Sequence, residues 1–204
     1  AITRMGSGEL DLHADSVAEA PAFDLLKANS DLTSSDAVGS SNTVMMNPAE
    51  FTDGRLNPFS NRKIREAMHW LLDRDYIVEE IYKGLAKPRF TVLTTVFPDY
   101  ARYADILREL EAKYAYNPQK TQEVVTAEME AMGAELVDGK WSINGEPVVL
   151  IYIIRTEDNR RPIGDYFAGQ LESVGFTLDR QFKTRSEASP IWNQSNPADG
   201  LWHL

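Results

Sequence analysis

The sequence predicts a mixed α/β fold, a sheet flanked by helices, and three observations carry that prediction. The apolar run VVLIYII at 148–154 has the length and β-branched content of a buried strand. Ile163, Phe167, Leu171 and Val174 recur at helical spacing and stop at Gly175, and the alternating stretch FTLDRQF at 176–182 follows. Strand, helix, strand in that order predicts a right-handed βαβ unit with its two strands parallel.

The remaining elements follow in order. Residues 6–12, GSGELDL, read as a turn entering a short extended piece, and residues 22–28 as a short helix. The stretch 30–41 is rich in Ser, Asp and Gly and reads as loop. TVMM at 43–46 is β-compatible and stops at Asn47-Pro48, because the residue before proline avoids the helical region and proline gives no ladder donor. Residues 52–58 form a turn. Ile64, Ala67, Met68, Leu71 and Leu72 then make one apolar face of a helix with Ser60 at its N-cap. Asp73 or Asp75 caps a second helix carrying Ile77, Val78 and Ile81, closed by Gly84 in a left-handed position. Residues 90–97, FTVLTTVF, are β-compatible, and residues 103–114 are helical through Ile106, Leu107 and Leu110. Asn117-Pro118 starts a further helix, with Val124, Val125, Met129 and Met132 as its stripe and Gly133 as its end. Asp138-Gly139 and Asn144-Gly145 flank a short strand, which predicts a hairpin feeding the strand at 148–154.

Composition narrows the function. The chain has 204 residues, 43% of them hydrophobic, which is enough for a substantial core. Its 21 Lys and Arg against 31 Asp and Glu give a net charge of -10, which argues against a nucleic-acid groove or an anionic membrane as partner. With no cysteine there is no disulfide framework, thiolate metal site or cysteine nucleophile. No apolar run approaches the roughly 20 residues of a membrane helix. The chain starts at Ala1 without a signal-peptide pattern and stops at Leu204 inside an aromatic, apolar stretch, so it reads as a piece of a longer protein, and its missing targeting signals are silent about location.

Chemistry-bearing patterns are few. His13, His69 and His203 are far apart and share no ligand spacing, so no metal or cofactor is expected. No nucleophile elbow and no phosphate-binding glycine loop is present. Asp73-Arg74-Asp75 resembles the paired carboxylates of metal-dependent transferases, which keeps a metal-using enzyme as a rival reading. Capping outweighs it, because an aspartate between two helices satisfies unpaired N–H groups. Trp192 and Trp202 lie in a Pro-, Asn- and Ser-rich tail outside any periodic pattern. They either line a ligand cleft or pack against chain that this sequence lacks.

One long, ordered pattern remains. NPFSNRKIREAMHWLLDRDYIV at 57–78, followed by Gly84 and Pro88, resembles the signature of the family 5 extracellular solute-binding proteins of ABC importers, the group that includes oligopeptide- and dipeptide-binding proteins. GELD at 8–11, YNPQK at 116–120 with Gly133, and QLESVGF at 170–176 match the family in the same order, so the resemblance covers roughly residues 5–185. Lys63-Ile64 and Asn117 depart from the commoner residues conservatively.

The resemblance implies a single-domain piece, the second lobe of a type II periplasmic-binding fold. Residues 1–42 would come in from the other lobe and 185–204 would lead back to it. It implies a non-enzymatic receptor, secreted or lipid-anchored, in the periplasm or at the cell surface. That receptor would hold an oligopeptide, or alternatively an oligosaccharide, between two lobes for delivery to a membrane permease. A non-transport interaction domain of the same fold is the other rival. Strand ends and nonperiodic loops supply the expected ligand contacts: Met46, Asn47, Phe97, Arg155 and Trp202.

Overall fold

Residues 1–17, 19–35 and 41–204 are described by the structure, a computed structural model. Residues 36–40 of the Ser- and Gly-rich stretch lie outside them. Helix α1, Ile2–Gly6, was not expected; the predicted turn follows it, with Gly8 at φ 75°. Helix α2, Ala20–Ala28, starts two residues earlier than its periodicity indicates, because Pro21 sits in the first turn, where it has no N–H to lose.

Helix α3 spans Arg62–Leu71. Its N-cap is Asn61, whose side chain accepts from Lys63 N, while Ser60 belongs to a preceding 3-10 turn, Pro58–Ser60. That corrects the expected cap by one residue. The apolar face is as predicted, with Ile64, Ala67, Met68 and Leu71 buried, and Trp70 joins them. Helix α4, Arg74–Tyr76, begins at Asp73, whose carboxylate accepts from Tyr76 N at 3.0 Å. It widens into a π turn, Ile77–Ile81, and ends at Lys83 and Gly84, both at positive φ.

The β-compatible runs at 43–46 and 90–97 form no strand. Strand propensity reflects fit to a half-buried pleated surface, and residues 90–97 do not lie on one: Val92 stands 79% exposed. Arg89 instead holds the segment through the carbonyls of Thr91 and Val92. A short helix that was not expected, α5, Pro98–Arg102, comes next, and the helical pattern at 103–114 forms α6, Ala104–Lys113, where Leu107 is buried and Ile106 exposed. Helix α7, Pro118–Ala131, is capped by Asn117 as predicted and packs on α3, with the Thr121 hydroxyl donating to Ala67 O.

Two Asn-Gly-type turns build a meander of β1, Glu135–Val137, β2, Lys140–Ile143, and β3, Glu146–Pro147. Asp138 and Gly139, and Asn144 and Gly145, all have positive φ, the geometry that lets a two-residue turn follow the strand twist. Strand β4, Val149–Arg155, pairs in parallel with β5, Thr177–Lys183, across helix α8, Arg160–Ser173. The strands therefore form two small sheets rather than one mixed sheet. Trp141 bridges them: its N–H donates to Gly175 O, its carbonyl accepts from Val148 N, and its indole N–H donates to Val174 O at 2.9 Å. Leu150, Tyr152 and Ile154 alternate inward along β4 onto Phe167, Ala168 and Leu171 of α8 and the buried faces of α3 and α7.

Helix α9, Arg185–Gln194, occupies the tail expected to be irregular. Glu187 accepts from Thr184 N at 2.7 Å, completing a capping box, and Pro190 lies inside the helix.

Gly164 of α8 faces Ile154 so closely that a Cβ there would come within 2.4 Å of its Cγ2. Gly164→Ala is expected to lower the unfolding free energy by about 1–3 kcal/mol. Ile154→Ala should recover part of that loss, so the double variant will be more stable in urea titrations than the sum of the single changes.

Candidate functional site

The edge of β4 not used by β5 is occupied by the end of the chain. His203 N donates to Ile151 O at 2.9 Å and Ile153 N donates to Leu204 O at 3.0 Å. On the far side of that segment, Asn47 N donates to His203 O at 2.9 Å. Residues 202–204 thus lie between β4 and residue 47, and two segments about 150 residues apart in sequence cross at one place.

Asn47, fully buried, closes the crossing. Its Nδ2 donates to Pro197 O and Trp202 O, both at 2.9 Å, and its Oδ1 accepts from Ala49 N at 3.0 Å. Asn57, also buried, donates to the carbonyls of Asn47 and Ala49 at 2.8 Å. Thr52 N donates to Ala198 O, and Arg55 reaches Gly200 O at 2.8 Å while pairing with Asp53 at 2.7 Å. The Arg55 backbone N–H, ahead of that pairing, holds the Asp53 carboxyl below its usual range. Gly200 takes φ 67°, and a Cβ there would come 2.6 Å from the Arg55 guanidinium, so residue 200 has to be glycine for the contact to form.

The five expected contact residues fall into two sets. Asn47 and Trp202 are brought together, but within the crossing: Trp202 is 4% exposed, not the open loop aromatic that was expected. Trp192 is half-buried on α9. Met46 packs partly against the core. Phe97 is 47% exposed just ahead of α5, and among the described residues it shares no ring contact or side-chain hydrogen bond with the other four. Arg155, at the carboxyl end of β4, pairs with Glu157 at 3.0 Å, and Glu157 also accepts from Arg185 N at 2.6 Å. The Arg185 N–H, ahead of the Arg155 charge, keeps the Glu157 carboxyl below the ordinary range.

Residue-type reasoning missed Arg55, Asn57, Gly200 and His203. A signal existed in the repeated Asn-Pro dipeptide. At 47, 57, 117 and 196 the asparagine oxygen accepts a backbone N–H two or three residues on, namely from Ala49, Phe59, Lys120 and Ala198. Asp73 is used as a helix cap, and among the described residues no group of three His, Cys, Asp or Glu could hold a metal. A depression of about 320 Å³ lies between Trp70, Lys113, Tyr116 and Lys120, away from the crossing.

Comparison with protein families matches residues 1–199 to the bacterial extracellular solute-binding proteins, family 5 Middle. Comparison with curated proteins finds no match. Among solved structures, the chain is similar to an oligopeptide-binding protein OppA, at 19% identity and TM-score 0.66, over 98% of this chain and 31% of that one. It is similar to AppA from Bacillus subtilis, solved with a nonapeptide, at 19% identity and TM-score 0.52, over 68% of this chain and 26% of that one. It is also similar to a mannohexaose-bound periplasmic oligopeptide-binding protein from Thermotoga maritima, at 21% identity and TM-score 0.53, over 66% and 25%. The chain therefore spans between a quarter and a third of these proteins.

Removing the Asn47 side chain leaves the buried Trp202 carbonyl and the Ala49 N–H without that partner, and leaves Pro197 O with only Gly200 N at 3.4 Å. Asn47→Ala is expected to cost roughly 3–5 kcal/mol in urea unfolding, against about 1 kcal/mol for Asp73→Ala, which removes only a helix cap.

Proposed function

The chain belongs to the bacterial extracellular solute-binding proteins of family 5, and on that premise we propose that it is one lobe of a receptor that captures an oligopeptide and delivers it to an ABC permease. The single observation that carries the lobe reading is the crossing at β4. A lobe that swings on another must be entered and left at one place, and residues 47–55 meet residues 197–203 side by side where 202–204 cover the β4 edge. On this reading residues 1–42 come from the companion lobe and 185–204 lead back toward it. Closure of the two lobes removes the ligand from water.

Peptide is favoured as ligand by the nonapeptide in AppA and by the name of OppA. An oligosaccharide is the second reading, favoured by mannohexaose in the Thermotoga maritima protein. Of the expected contacts, Arg155, Phe97 and the exposed part of Met46 are assigned to the ligand. Asn47 and Trp202 are assigned to the joint, since further chain can only bury them more. The family is one of solute-binding proteins rather than enzymes, which leaves the Asp73 and Asp75 metal reading without support. The receptor is placed outside the cytoplasm, secreted or held by a lipid; no helix among the described residues is long and apolar enough to cross a membrane.

Mass spectrometry of material released from the gently purified intact protein is expected to find a peptide. A co-purifying sugar selects the second reading, and consistent absence of both favours an interaction domain of the same fold. Arg155→Ala and Phe97→Ala are each expected to weaken binding roughly tenfold by calorimetry. The 204-residue chain alone should show no submicromolar affinity, because on the lobe reading the contacts and closure come from the companion lobe as well.

A further inference from the structure

His203 is the residue at which the two crossing segments and β4 all meet. Its carbonyl accepts from Asn47 N, its N–H donates to Ile151 O, and its imidazole Nδ1 accepts from Ile151 N at 3.0 Å. The side chain and the main chain of one residue therefore bind the same β4 residue from both directions. A backbone N–H can only donate, so Nδ1 must be unprotonated and the ring neutral for this bond to exist. An imidazolium would bring a second hydrogen against the Ile151 N–H, and the bond would become a repulsive contact.

We propose that His203 makes the crossing an acid-sensitive latch, closed by the neutral imidazole and released from β4 by the imidazolium.

The surroundings favour the closed form. His203 is 1% exposed, with the Phe51 ring edge-on at 4.8 Å. Two charged side chains act on it, both from residues 52–57: Arg55 opposes a second positive charge, and Asp53 favours it but is already paired with Arg55. The Leu56 carbonyl also favours the charged ring. Residues 41–47 carry no ionisable side chain, and in β4 the neighbouring Tyr152 belongs to the buried core, its phenol pushed up by burial and so neutral. Burial outweighs the favourable groups and lowers the imidazole from 6.5 to about 4. The sign follows from linkage: below pH 6.5 the opened form takes up a proton that the closed form refuses, so the latch is fully held above pH 6.5 and weakens as the pH falls toward 4.

Hydrogen–deuterium exchange read by mass spectrometry on the intact protein tests this without any ligand, and so independently of the transport reading. After correction for intrinsic rates, peptides covering Ile151 and residues 202–204 should lose roughly tenfold or more of their protection between pH 6.5 and pH 4. His203→Asn places an oxygen near the position of Nδ1 and does not titrate, so its protection should stay flat over that range. Protection that holds in the native protein, or that falls equally in His203→Asn, overturns the proposal. If the variant does not fold, the slow exchange of the His203 ring C–H gives its own titration in the native protein. A midpoint more than about one pH unit from that of the Ile151 peptide then overturns it just as firmly.

Discussion

The carboxamide of Asn47 is placed where no water reaches, and every hydrogen-bonding group of the residue is used there. Two donors go to Pro197 and Trp202, one acceptor to Ala49, and the main chain goes to His203 and Asn57. Those partners come from both sides of the crossing. The rest of the architecture relies on this arrangement, because β4 and β5 alone are a two-stranded pair whose open edge would expose unpaired backbone groups. Residues 202–204 cover that edge, and Asn47 holds them there.

Local patterns were legible in the sequence to the extent that they depend on near neighbours. The apolar stripes of α3 and α7, the Asn117-Pro118 start, the Asp-Gly and Asn-Gly turns and the strand, helix, strand order of β4, α8 and β5 all arise within a few residues and survive in the structure. Helix α9 was hidden by Pro190, although Thr184 and Glu187 had the spacing of a capping box. The runs at 43–46 and 90–97 misled for the opposite reason. Their side chains suit a strand, but a strand needs an edge, and whether an edge is free is decided by distant chain.

The candidate site divides the same way. Arg155 and Phe97 were expected from their places after a strand; Arg155 does end β4, and Phe97 is open to solvent although its strand does not form. Asn47 and Trp202 were singled out by position and composition, and the structure has both buried in the crossing of the two segments. Only contacts spanning about 150 residues reveal it, and nothing in the local spacing of either residue encodes such a partner. Trp202 keeps one loose end: its indole N–H is buried with no acceptor among the described residues.

The crossing also bears on the order in which the molecule assembles. Helices α3 and α7, the meander and the β4–α8–β5 unit are each formed by chain that is close in sequence or soon synthesised. The contacts of Asn47 must wait until residues 197–203 exist and must close a loop of that length, an entropic cost that short-range contacts avoid. The joint is therefore among the last parts to form. Changes made there act mainly by speeding unfolding, leaving the early folding steps near their native rates. Until it closes, the edge of β4 stands bare and open to pairing with another polypeptide.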